Sequence, residues 1–263
     1  MPGILDDDAS VAFVGIGTLL NDGLARKTRH AKKRVIFGTG VGYGNGGLTL
    51  DESHKVYCVR GPLSAEALGL EKGAAVTDGA ALIRRVFSQT AKKKYSFSYM
   101  PHYELAGDGW VSACKDIGFG YIDPRWSIEE VLTAMTETEV LLTEAMHGAI
   151  VADALRIPWM PIVTNKTILP FKWKDWCTSV AVDYRPVYVE RLQHPNPKVD
   201  LLTPVRFVRD KVRQRKASAA LKQAAMNHSP SLSQESHIES LTTQLEERLH
   251  QFKTDVDQGL FAV

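Results

Sequence analysis

Apolar positions early in the chain fall in short runs closed by glycine. VAFVGIG (Val11 to Gly17), RVIFGTGVGYG (Arg34 to Gly44) and KVYCVRG (Lys55 to Gly61) have this form. Such runs, with few polar interruptions, predict buried strands. Pro62 to Leu70 reads as a short helix, with its proline early, Ser64 near the start and Gly69 near the end. AAVTDGAAL follows as strand, turn and helix start. Buried strands that alternate with loops or helices predict a parallel sheet with helices on its faces.

The polar run Ala91 to Lys94 marks a boundary, and a fresh strand starts at Tyr95. Ser127 with Glu130 three residues on is a capping box, opening a helix that runs to about Glu137. Val140 to Thr143 is the next strand, EAMHG a loop, Ala149 to Arg156 a helix and WMPIV a strand. The expected fold class is α/β, with two Rossmann-like halves spanning 1–92 and 93–204. Beyond Val205 a helical tail, 205–263, is expected. Arg206 to Ala225 carries seven Lys/Arg and one Asp, NHSPSLSQES is a linker, and Ile238, Leu241, Leu245, Leu249 and Phe252 form one helical face.

Composition refines this picture. The net charge of +2 gives no ground for a nucleic-acid partner. Cys58, Cys114 and Cys177 are far apart, as expected of reduced thiols in a reducing compartment. The acidic N-terminus, with Asp6, Asp7 and Asp8, has no apolar segment of a signal peptide, and no run approaches the length of a membrane span, so a cytoplasmic location is expected. HExxH, Cys/His clusters and GxSxG are missing, and no metal is expected.

Candidate chemistry gathers at strand ends. In LLTEAMHGAIVADAL an apolar strand runs out, His147-Gly148 follows and a helix begins. Such a turn offers free N–H groups and a positive helix end to an anion, and histidine suits proton transfer near neutral pH. His147 equally suits a packing role at the turn. Arg60 closes the third strand, where its fork would match a carboxylate or phosphate, or join a surface ion pair. His102 lies where the strand from Tyr95 ends, again with a structural alternative. Lys166 and Lys172 lie among apolar residues, and Trp173 and Trp176 would stack on a sugar or fill the core. Gly42, Gly44 and Gly47 give a formal G-x-G-x-x-G, but no helical pattern follows, so NAD is rejected in favour of a flexible loop approaching a ligand.

The stretches FVGIGTLLND, VIFGTGVGYG, YCVRGPLSAEALGL, TDGAAL, MPHYE and LLTEAMHGAIVADALRIPWMPI resemble the polysaccharide pyruvyl transferases, particularly the exopolysaccharide branch; they run from about Val11 to Trp176. The resemblance implies two domains arranged as in GT-B glycosyltransferases, with the active site between them. It implies phosphoenolpyruvate as donor, no cofactor, and as acceptor a hexose of a lipid-linked repeat unit at the cytoplasmic membrane face. By motif, Arg60 and His147, with Gly148, correspond to the donor-binding arginine and histidine. Lys166 or Lys172 fills the place of the family's lysine, and KWKDW favours Lys172. Many members carry arginine where Ala145 stands, so Arg125 or Arg156 is expected to supply the missing charge. Members also begin with a strand and a Gly-Asp turn upstream of Val11, so the first domain is expected to lack that strand.

Ketal formation protonates the enol methylene, a sugar hydroxyl attacks C2, phosphate leaves and a second hydroxyl closes the ring. His147 would be acid or phosphate ligand, and His102 or Glu144 the base. Tyr103, Trp173 and Trp176 are the acceptor-side candidates. The basic tail would rest on an anionic membrane surface, with Phe207, Val208 and Val212 as a small apolar face, or pack across the domains. Ile238 to Phe252 would pack on the body or on another subunit, leaving a homo-oligomer open. The rivals are a GT-B glycosyltransferase using a nucleotide sugar, for which no ribose carboxylate is found, and a truncated, non-catalytic partner protein.

Overall fold

A computed structural model describes residues 9–42, 48–88, 91–164, 168–192 and 203–262, with side chains from 209 onward in the last stretch. Chain order is β1 (Val11–Val14), α1 (Leu24–Lys27), β2 (Lys33–Phe37), β3 (His54–Cys58), α2 (Pro62–Ala67), α3 (Ile83–Val86), β4 (Tyr95–Met100), α4 (Asp108–Ile117) and β5 (Gly120–Tyr121). Then follow α5 (Ile128–Thr136), β6 (Thr138–Thr143), α6 (Met146–Ala154), β7 (Trp159–Val163), α7 (Pro170–Ser179), β8 (Val187–Tyr188), α8 (Thr203–Asn227) and α9 (Glu235–Asp257).

The chain is α/β and divides into two compact units that are not contiguous in sequence. The first comprises Met1–Val86, Leu169–Tyr184 and Ser233–Val263; the second comprises Phe87–Ile168 and Arg185–Leu232. This differs from the linear division 1–92, 93–204, 205–263. One segment expected in the second half, α7, joins the first unit, and the tail is shared, α8 with the second unit and α9 with the first.

In the first unit β1, β2 and β3 form a parallel sheet in sequence order. Val14, Leu20, Leu24, Ile36, Val59 and Ala65 pack as its core. Of the apolar face read from the sequence of α9, Ile238, Leu241, Leu245 and Phe252 are buried, and the helix lies against β3. Burying each such side chain contributes about 1.5–3 kcal/mol, which is ample reason for α9 to dock here. Phe252 sits 5.3 Å from the Phe13 ring and 5.5 Å from Tyr57. Arg84 and Arg85 add exposed ion pairs to Glu235, Glu239 and Glu246.

In the second unit the strands are all parallel, in the order β5-β4-β6-β7-β8. The capping box at α5 is present, Ser127 accepting from the Glu130 N–H. Ala217, Leu221 and Ala224 of α8, at helical spacing, are buried in the core cluster with Trp110 and Ala113 of α4, and Ser218 donates to the Ala113 carbonyl at 3.1 Å. The apolar side of this part of α8 therefore packs within the unit, while Lys211, Arg215, Lys216 and Lys222 are exposed. Phe207 and Val208 lie among side chains outside the described set. No helix among the described residues is long and apolar enough to cross a membrane.

Candidate functional site

The second unit's strand order places a topological switch. From β4 the chain moves to β5 on one side, and then β6 enters on the other. The loops beyond the C-terminal ends of β4 and β6 must therefore diverge, and in open parallel sheets the resulting crevice is where ligands bind. His102 and Tyr103 follow β4, and Glu144 to Gly148 follow β6.

Glu144 organises this edge. It is 1% exposed. One carboxylate oxygen accepts from the Tyr99 hydroxyl at 2.9 Å and the His102 N–H at 3.3 Å. The other accepts from the Thr164 N–H at 2.9 Å and its hydroxyl at 2.6 Å. The ends of β4, β6 and β7 thus meet on one side chain. Burial and the neighbouring Glu144 charge push the Tyr99 hydroxyl well above its ordinary pKa, so it stays a donor. A carboxylate has about four lone-pair positions, and all four are occupied. The structure gives Glu144 a positioning task in place of the base role suggested by its sequence.

His147 lies within the first turn of α6, which begins at Met146 and not at Ala149. The turn is fixed locally: the Thr143 hydroxyl accepts from the Ala145 N–H at 3.0 Å and donates to its carbonyl at 3.1 Å. Gly148 is needed for close approach, because a Cβ there would lie 2.6 Å from Met100 Sδ and 2.8 Å from Thr143 Oγ1. His147 is half-buried. The positive helix end beside it favours an anion. The His102 side chain is 29% exposed, with Nδ1 3.7 Å from Glu104, and Tyr103 is exposed.

In the first unit, Arg60 is fully buried. Its Nε donates to Asp175 at 3.0 Å, Nη1 to the Thr18 hydroxyl at 2.8 Å and the Gly17 carbonyl at 3.3 Å, and Nη2 to the Val41 carbonyl at 3.2 Å. Asp175 also accepts from the Ser64 N–H at 2.9 Å and its hydroxyl at 2.5 Å. A Cβ on Gly40 would reach Arg60 Nε at 2.6 Å, and one on Gly61 would reach Asp175 Oδ1 at 2.5 Å. The glycines after β2 and β3 therefore make room for this buried pair. Gly42 likewise faces Leu169, 2.8 Å from where its Cβ would stand; Gly44 and Gly47 lie outside the described residues. Arg60 holds the loops after β1 and β2 to α7, an occupation different from the donor contact its motif implies.

Trp173 and Trp176 are each 1% exposed. Trp173 stacks on Tyr184 at 5.4 Å and meets Trp176 edge-on at 6.4 Å. Both are core residues of the first unit and offer no face to a sugar, which corrects their acceptor-side reading. Their spacing, with Cys177 and Val180 also buried and Lys174 and Thr178 exposed, is that of an amphipathic helix. That signal was present in the sequence. Lys172 is half-buried on α7, and Lys166 lies outside the described residues. Arg156, at positive φ, donates to the Asp153 carbonyl at 3.3 Å. Arg125 grips Asp123 with two bonds of 2.8 and 2.6 Å. Sequence reasoning missed Tyr99, Thr164 and Asp175, whose partners are distant in sequence, Trp126, which is marked only by its exposure, and Asp123, whose partners Tyr121 and Arg125 are close but form no recognisable motif.

The described residues make an α/β chain of parallel sheets, with His102 beyond β4 and His147 in the first turn of α6 beside a topological switch point. The sequence model of the polysaccharide pyruvyl transferases matches residues 9–166, and the chain belongs to that family. It is 35% identical over 189 residues to the succinoglycan biosynthesis protein ExoV of Rhizobium meliloti (strain 1021). The alignment covers 71% of this chain and 59% of that relative's length.

Proposed function

We propose that this protein transfers the pyruvyl group of phosphoenolpyruvate to a sugar as a ketal, in the assembly of an exopolysaccharide. The observation that carries the reading is His147 in the first turn of α6, beside the β4/β6 switch point and inside the stretch matched to the family. A relative named for succinoglycan biosynthesis agrees with a polysaccharide acceptor. The finer reading takes each unit as one Rossmann-like half of a GT-B-like protein, and the acceptor as a lipid-linked hexose.

In this scheme the donor's anionic groups lie against the first turn of α6. His147 binds the phosphate or protonates the enol methylene. C2 becomes electron-poor, one acceptor hydroxyl adds to it, the C2–phosphate bond breaks, and a second hydroxyl closes the ketal with loss of its proton. His102, the half-buried imidazole on the facing loop, takes a hydroxyl proton. Glu144 holds that loop by its backbone. The family's lysine is Lys166 or Lys172. The exposed basic residues of α8 would meet an anionic membrane bearing the acceptor.

Thermal shift tests the reading. Phosphoenolpyruvate at about 100 times its dissociation constant should add about 2.7 kcal/mol of stability, UDP-glucose none, and His147→Ala should abolish the response without unfolding the chain. A response to UDP-glucose alone would replace pyruvyl transfer with glycosyl transfer.

A further inference from the structure

The five tryptophans of the chain divide sharply. Trp110, Trp159, Trp173 and Trp176 are 1% exposed or less, whereas Trp126 is 42% exposed. An indole left half in water keeps apolar surface available to a ligand's own apolar face. Its surroundings are polar and organised. The Trp126 backbone N–H donates to the Asp123 carbonyl at 3.1 Å. Its ring meets Tyr121 edge-on at 6.0 Å and 82°. Asp123 holds the Arg125 fork, and Arg125 remains 54% exposed in its side chain, with Nη1 unpartnered among the described residues.

The loop after β4 repeats the arrangement. Tyr103 is 57% exposed and its hydroxyl donates to Glu104 at 3.2 Å. The two loops leave the sheet at one level, since Tyr99 pairs with Tyr121 in register. They are also tied together: the Tyr121 hydroxyl accepts from the Gly107 N–H at 3.0 Å and donates to Asp123 at 3.1 Å. Two exposed aromatic rings, each beside a carboxylate and one beside a guanidinium, thus stand on the sheet edge next to the switch point.

We infer that Trp126, with Arg125 and Asp123, forms a hexose-binding platform on the second unit. The apolar C–H face of a pyranose stacks on the indole, and its ring hydroxyl oxygens accept from the free guanidinium N–H, while Asp123, its oxygens taken by Arg125 and Tyr121, holds the guanidinium in place. A flat aromatic selects a ring with one continuous C–H face, and the remaining guanidinium N–H selects a hydroxyl beside it. Resting on the proposed function, this assigns the acceptor side to Trp126 in place of Trp173 and Trp176.

Acrylamide quenching of intrinsic fluorescence reads Trp126, because the other four indoles are buried. Methyl glucopyranosides and methyl galactopyranosides, both anomers, are titrated into the full chain, with sorbitol as the open-chain control. At least one glycoside should protect the fluorescence and sorbitol should not; the quenchable fraction should vanish in Trp126→Phe. By saturation-transfer NMR, Trp126→Ala should weaken the glycoside about tenfold, the loss expected of one stacked ring, and Trp126→Phe should retain most of the binding. No protection by any glycoside, equal protection by sorbitol, or undiminished binding in Trp126→Ala would overturn the platform. The phosphoenolpyruvate thermal shift is read separately on the same variants. Its failure alone sinks the donor reading and leaves the sugar site standing.

Discussion

Each unit buries a charged side chain at the C-terminal ends of its strands, and the two are stabilised by opposite means. Arg60 in the first unit meets a full counter-charge, Asp175, and its remaining bonds go to carbonyl and hydroxyl oxygens. Glu144 in the second unit is held by two hydroxyls and two backbone N–H groups, and among the described residues no cation forms an ion pair with it. A neutralised pair closes a strand edge and fastens α7 to it. A carboxylate held by dipoles instead sets, from the end of β6, the backbone beyond β4 and β7. The first arrangement serves stability, and under the proposed function the second would place groups around the donor.

The largest effect should come from breaking the neutralised pair. Asp175→Asn leaves Arg60 charged, buried and without its counterion, a loss of about 3–5 kcal/mol in urea unfolding. The cysteines report where the loss falls. Burial pushes the thiols of Cys58 and Cys114 up to about 12, so both are inert in the folded chain at neutral pH. Asp175→Asn should speed labelling of Cys58, in the first unit, and leave that of Cys114, in the second, unchanged. Equal acceleration of both would merge the two regions into one cooperative body.

Gly40→Ala attacks the same pair sterically. The added methyl would overlap the guanidinium, and overpacking should destabilise by about 1–3 kcal/mol. The cost should largely disappear in an Arg60→Ala background, where the space is open. Such non-additivity in a double-mutant cycle would show that the glycine serves the arginine and not a ligand.

The sequence displayed the strands of both units because each is an apolar run at a boundary of glycine or charge; β1, β2, β3, β4, β6 and β7 were all legible. The capping box and the apolar face of α9 were legible for the same reason, since both are local patterns. What escaped was non-local. The partner of Arg60 lies 115 residues away, and nothing near Arg60 signals that α7 returns to the first unit. The pairs β5 and β8, two residues each, are too short to leave a period. His147 was recognised by type, but the helix around it begins earlier because Thr143, not a cap at Ala145, satisfies the turn.

Glu144→Gln probes the second arrangement. One amide face must then point an N–H₂ group at existing donors. Tyr99 can rotate to accept, whereas the His102 N–H, already at 3.3 Å, cannot. One orphaned N–H should cost about 1–2 kcal/mol, less than Asp175→Asn. Its phosphoenolpyruvate response should fall by a larger factor than its stability, because the loop carrying His102 is released. Loss of stability with an unchanged ligand response would make Glu144 purely structural and erase the contrast with Arg60.

The smallest effect belongs to a third pair, Asp123 with Arg125, which is charged like the first but open to water through the half-exposed arginine. The Arg125 side chain, by hydrogen bonding, holds the Asp123 carboxyl below its ordinary range. A carboxyl with a depressed folded pKa contributes stability above its unfolded value, near 3.9, and that contribution is lost as pH falls through the folded value. Arg125→Ala should therefore cost under about 1 kcal/mol at neutral pH, and the difference from wild type should fade as the solution is acidified below the usual aspartate range. Salt should shrink it too, since water and ions screen an exposed pair. The Arg60–Asp175 bond, shut away from both, should be indifferent to the same salt titration. If Arg125→Ala proved as costly as Asp175→Asn, burial would not be what separates these ion pairs, and the division into a stabilising edge and a positioning edge would lose its physical basis.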